Sequence, residues 1–140
     1  MNRQLLLSQL QRHEGYSATP YPDSVGKLTI GWGRNLEDRG ISEDEAGFML
    51  DNDIDLVEAE LERMPLYLGL DPIRQVVLAN MAYNMGMPTL LEFSRMLGAL
   101  AKRDWDRAAL EMLDSKWARQ VGARAVELSE LMIRGEVAHG

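Results

Sequence analysis

Cysteine is absent and histidine occurs only twice, which excludes disulfides and thiolate metal sites and leaves little for a histidine-based one. A purely carboxylate site remains open, although no calcium-loop spacing is present. No apolar run approaches the ~18 residues that span a bilayer, so no stable membrane insertion is expected. The leucines at positions 5–7 are interrupted by Ser8, Gln9 and Gln11, too soon for a secretory signal. The expectation is synthesis in the cytoplasm, with any extracellular substrate reached by another route. No basic stripe is visible, so nucleic acid is a poor partner.

What remains is a chain of 140 residues, 46% of them hydrophobic, enough for one compact unit with a core of its own. Its net charge of −7 is unevenly spread. Residues 37–62 alone carry a net −10, whereas 1–36 and 63–140 are mildly positive at +2 and +1.

Leu6, Leu7 and Leu10 recur at helical spacing from Arg3 to about Glu14, and Gly15 suits the residue just past a helix end. Residues 16–36 change character. Pro22-Asp23-Ser24 is turn chemistry, and 28–32 reads as a strand, predicting a small hairpin. Thereafter the pattern is helical. Ser42 with Glu45 three residues on forms a capping box that opens a long helix running to about Arg63 and stopping at Pro65. Asp71-Pro72 opens another, ending near Asn84-Met85-Gly86. Further helices are expected over 90–102, 104–113, 115–120 and 123–134. The fold class is therefore α+β and mostly helical. One domain, 1–140, is expected: a small hairpin lobe over about 14–41, a connecting acidic helix over about 42–63, and a helical lobe over about 65–140 that includes the N-terminal helix.

Three side chains can carry chemistry. Glu14, in the last turn of a helix, faces the negative end of the helix dipole, which disfavours its charged form as a general acid requires. Taken alone, it reads rather as a solvated glutamate beside a helix-ending glycine. Asp23 lies nine residues on, where a β-excursion can return it across a cleft from that helix end. Glycosidases place two carboxyl groups about 6.5–9.5 Å apart when water attacks directly, and about 5–5.5 Å apart when a carboxylate does. Alone, Asp23 reads as the support of an Asx-turn. Thr29, six residues beyond, can hold a water by its hydroxyl or serve as a plain strand residue. In Gly31-Trp32-Gly33 the glycines leave a bare face that a ligand or backbone can approach, or mark a bend.

Together, Glu14-Gly15, Asp23 and Thr29-Ile30-Gly31-Trp32-Gly33 resemble the phage-type lysozymes, glycoside hydrolase family 24, with its spacing of glutamate, aspartate and threonine kept without a gap. The resemblance continues through Asp44-Glu45-Ala46, Asn80-Met81, Met85-Gly86, Trp105-Asp106, Ala108-Ala109 and Ser115-Lys116-Trp117, and ends near Arg124. It implies a lysozyme-like fold with the active site in a cleft between the hairpin and helical lobes. It also implies a muramidase that cuts the β-1,4 bond between N-acetylmuramic acid and N-acetylglucosamine in peptidoglycan. Glu14 would be the general acid, Asp23 the base or electrostatic partner, and Thr29 the residue that positions water, with inversion at the anomeric carbon. Substrate-binding positions would be Gly31, Asn84, Trp117, Gln120 and Arg124, the arginine matching one that lies against the catalytic glutamate. For Trp117, core packing is an equal reading. No metal or organic cofactor is implied, and a monomer is expected. The setting would be a phage or prophage endolysin, released from the host cytoplasm through a holin-type lesion.

This chain departs from the family in a short loop between Asn35 and Ser42 and at two positions. Arg34 stands where the family usually has histidine, and His13 precedes the catalytic glutamate. The rival from another class is a non-catalytic peptidoglycan-binding module on the same fold; a chitin- or chitosan-cutting hydrolase would share the chemistry. An intact Glu14, Asp23 and Thr29 favour the enzyme.

Overall fold

The computed structural model describes residues 1–136. The chain divides into two compact units, Met1–Met49 and a second that begins at Leu50.

In the first unit, α1 (Arg3–Glu14) is capped by Asn2, whose side chain accepts the Leu5 N–H at 3.0 Å. A sheet of three antiparallel strands follows, β1 (Ser17–Pro22), β2 (Leu28–Gly31) and β3 (Arg34–Asn35), with β2 in the middle. The expected hairpin is thus real but incomplete: the strand stops at Gly31 rather than Trp32, and a third strand is added. Two residues of strand carry too little pattern to be read, and β3 persists because Thr29 and Ile30 of β2 pair with it. The pairing of β1 with β2 is irregular between Ser17 and Tyr21, a stretch that holds Pro20, which has no N–H to donate. A short α2 (Leu36–Arg39), also unexpected, is capped by the Asn35 side chain, which accepts from Asp38 N–H at 3.1 Å.

The capping box is present as expected. Glu45 N–H donates to Ser42 Oγ at 3.1 Å, while Ser42 N–H donates to Glu45 Oε1 at 2.9 Å, and α3 runs Glu43–Leu61.

In the second unit, α3 ends at Leu61, short of the expected Arg63, and Pro65 opens a short helix of its own: α4 spans Pro65–Leu68. The helix α5 (Pro72–Met85) begins and ends where its proline and glycine place it. The single helix expected over 90–102 is two, α6 (Met87–Leu91) and α7 (Ser94–Ala101), because the chain tightens there: Glu92 N–H bonds Thr89 O and Phe93 N–H bonds Leu90 O, three residues back. Then come α8 (Trp105–Leu113), α9 (Lys116–Val121) and α10 (Ala123–Arg134). The core is apolar and rich in methionine, with Leu61, Leu78, Met81, Met96, Met112 and Met132 fully enclosed. One buried cation belongs to it. Arg74 donates to the carbonyls of Met132 and Ile133 at 2.7 and 2.9 Å, pairs with Asp71 at 2.9 Å, and lies 3.8 Å above the Trp105 ring. It thereby caps the C-terminal end of α10, where carbonyls lack helical partners. Burial opposes the charge on Asp71, but the Arg74 N–H, its guanidinium and the Glu136 N–H outweigh that and hold its carboxyl below the ordinary value.

Candidate active site

Glu14 is the last residue of α1, and the helix stops there because Gly15 takes a positive φ of 71° while its N–H closes on Gln11 O at 3.1 Å. Its exposed side chain reaches the turn between β2 and β3. Gly33 in that turn has φ +84°, and a side-chain carbon built on it would lie 2.7 Å from Glu14 Oε2 and 2.9 Å from Cδ. The carboxyl therefore occupies the face that Gly33 leaves bare. Gly31, the one of the two glycines expected to bind substrate, has φ +68° but meets nothing on that side.

Asp23 holds the turn at the other end of the hairpin. Its Oδ1 accepts the N–H groups of Val25 and Lys27 at 2.9 and 2.8 Å, while its own N–H donates to Lys27 O at 2.8 Å. One carboxylate oxygen is committed to the turn; Oδ2 makes no hydrogen bond within Met1–Met49. Thr29 sits between these ends on the central strand, 3% exposed, opposite Tyr21 on one side and Asn35 on the other. Its hydroxyl donates to Lys27 O at 2.8 Å, which leaves the oxygen lone pairs free to accept. The strand thus sets the spacing: Asp23 precedes it, the turn that Glu14 touches follows it, and four extended residues cover roughly 10 Å.

Arg34, the departure from the family's usual histidine, has a defined partner. Its guanidinium donates to Glu45 at 2.9 and 2.6 Å in bidentate fashion and to Gly40 O at 3.1 Å. With the Ser42 N–H and hydroxyl also donating to it, the Glu45 carboxyl is held down at about 2, first of all by Arg34. Part of the acidic segment is likewise tied to the sheet: Glu37 accepts the Leu28 N–H at 2.9 Å, and Asp38 pairs with Lys27 at 3.3 Å.

The remaining sequence-predicted residues belong to the second unit. Trp117 is buried, packs edge-on to Phe93 with centroids 6.3 Å apart, and donates its indole N–H to Asn84 Oδ1 at 2.8 Å. Arg124 donates to Asn80 Oδ1 at 2.9 and 2.7 Å. Asn80 and Asn84 are four apart on α5, so they share a face, and that face gathers Arg124 and Trp117. Asn80, which stands in the Asn80-Met81 pair that carries the resemblance, was not among the expected site residues; its i, i+4 spacing from Asn84 was the available signal. Gln120 is exposed on α9. The second unit also holds a groove of about 510 Å³ that reaches Asn80 and Arg124, but Leu50, Ile54, Val57, Val76 and Tyr83 make it mainly apolar, unsuited to the dense hydroxyls of a glycan. Among the described residues no three His, Cys, Asp or Glu side chains cluster as a metal site, and no helix is long and apolar enough to cross a membrane.

The sequence model of the phage lysozyme family matches residues 11–136, which takes in the Glu14 helix end, the sheet and all the helices after it. The chain belongs to the phage lysozyme family, and its small antiparallel sheet and many helices are that family's α+β architecture. Similar proteins include the pre-baseplate central spike protein Gp5 of Enterobacteria phage T4, 24% identical over 94% of this chain, which spans only 28% of that protein's length. Two Dictyostelium discoideum proteins, named Probable T4-type lysozyme 1 and 2, are 26% and 25% identical. The alignments take in 83% and 86% of this chain and 86% and 88% of theirs.

Proposed function

We propose that this chain is a muramidase that hydrolyses the β-1,4 bond between N-acetylmuramic acid and N-acetylglucosamine in peptidoglycan, with Glu14 as general acid. The observation that carries the reading is the seat of the Glu14 carboxyl against Gly33, one strand-length from the turn that Asp23 organises. In the reaction Glu14 gives its proton to the glycosidic oxygen as the C–O bond breaks. Water held by Thr29 attacks the anomeric carbon from the opposite face, and Asp23 takes up or balances the water's proton. Asp23 enters oriented, because two backbone N–H groups fix one of its oxygens and turn the other outward. In the second unit, Asn84, Gln120 and Arg124 are the sugar-binding residues. Trp117 acts there by holding the Asn84 carbonyl, which aims the amide N–H₂ away from the core.

The test is release of reducing ends from purified Gram-negative peptidoglycan by the wild type beside Glu14→Gln. Release that falls about a thousandfold in the variant, with wall binding kept, supports the acid role. Binding by both proteins with release by neither overturns the enzyme reading in favour of a wall-binding module.

A further inference from the structure

Within Met1–Met49 no hydrogen bond or ion pair holds the Glu14 side chain: Arg34 is taken by Glu45 and Lys27 by Asp38. A glutamate at a helix end is free to rotate about three bonds unless something confines it. What meets it here is Gly33, whose missing side chain would have placed a carbon 2.7 Å from Oε2, 2.9 Å from Cδ and 3.1 Å from Cγ. All three atoms belong to the far end of a flexible side chain. A carbon added at position 33 would therefore move the carboxyl aside rather than stop the chain from folding.

Gly33 is itself fixed from both sides. Before it, Ser17 pairs with Gly31; after it, Ile30 pairs with Arg34, whose guanidinium is anchored on Glu45. The turn is thus a rigid wall with a gap in it, and the gap is where the carboxyl lies. We infer that Gly33 is a positioning residue for the Glu14 carboxyl, acting through the space it leaves. This rests on the reading of Glu14 as the general acid. Its consequence is that turnover is sensitive to a single methyl group at position 33, since displacing an acid by about 1 Å can cost a hundredfold.

Backbone strain is the competing explanation, because φ at Gly33 is +84° and an L residue is strained there in any case. Gly40 separates the two causes. It lies in the same unit with φ +63°, but a side-chain carbon on it would meet nothing within 4 Å. The experiment compares Gly33→Ala with Gly40→Ala in protein carrying ¹³C-labelled glutamate. It reads thermal unfolding, kcat and KM on peptidoglycan, and the Glu14 side-chain carboxyl resonance, assigned by its loss in Glu14→Gln. Both variants are expected to unfold at lower temperature. Only Gly33→Ala is expected to lower kcat, by roughly ten- to a hundredfold with KM within about twofold, and only it is expected to move the Glu14 resonance. An unmoved resonance, or equal kcat losses in the two variants, overturns the inference. If the wild type turns over no peptidoglycan but Gly33→Ala alone still moves the resonance, the muramidase reading fails while the positioning of the Glu14 carboxyl stands.

Discussion

The two units reach order by different means. From Leu50 onward the chain encloses apolar side chains, with Leu78, Met81 and Met112 wholly removed from water. Among the described residues of Met1–Met49 the one buried side chain is Thr29, and it is polar. There the fold is held by backbone pairing, capping side chains and charge: the Asp23 turn, the Asn35 and Ser42 caps, and the Arg34–Glu45 fork. Hydrophobic burial is non-directional and indifferent to pH, whereas hydrogen bonds and ion pairs aim groups but answer to protons and salt. The lesson is that the unit carrying Glu14, Asp23 and Thr29 is built from directional interactions, which suits the placing of reactive groups at the expense of robustness.

Four measurements can break or sharpen that contrast. Replacing Arg74 with Met should be the costliest change, about 4 kcal/mol, because it leaves Asp71 partly buried without its partner and uncaps α10. Calorimetric unfolding with a loss below about 1 kcal/mol would show that the second unit does not lean on its buried cation. Next, Leu78→Ala should cost about 3 kcal/mol through the cavity it opens. Hydrogen exchange should then quicken in α5, α8 and α10 while β1 and β2 keep their protection. Ser42→Ala removes one half of the capping box and should cost about 1 kcal/mol, with fraying at the first turn of α3 as its signature in NMR.

The smallest effect is confined to acid. Glu45 falls from an ordinary value near 4.5 to about 2 in the folded chain, so its contribution to stability is complete above 4.5 and is lost as pH drops toward about 2. Over that window the first unit should weaken, and Arg34→Met should shrink Glu45's share of the pH dependence, leaving the part that Ser42 supplies. Equal acid sensitivity in the wild type and the variant would show that the fork contributes nothing, as many exposed pairs do not.

How much could be read in advance follows the range of the forces involved. The Ser42–Glu45 box, Pro72 at the start of α5, and Gly15 and Gly86 beyond helix ends act over three or four residues, and each was legible. Pro88 was a usable sign that α6 starts at Met87 rather than at 90, whereas the break between α6 and α7 carries no comparable local signal. The β3 strand and α2 helix are too short for any periodicity, and they exist because Leu28, Thr29 and Ile30 supply partners. Of the candidate site, Glu14, Asp23 and Thr29 were legible as a spaced set. The roles of Gly33 and Asn80 were not, since a gap and an amide mean little until a carboxyl or a guanidinium is placed against them.

By itself, then, the sequence determined the capped ends of the longer helices, the α+β class, and which three side chains stand at family spacing, because caps, turns and periodic faces are local chemistry. Tertiary structure decided that Arg34 takes Glu45, that Trp117 is packed in the core and holds Asn84, and that Glu14 rests on Gly33 rather than Gly31. Those choices bring together residues 11 to 33 positions apart, and only a folded backbone can select one such partner from the many that composition allows.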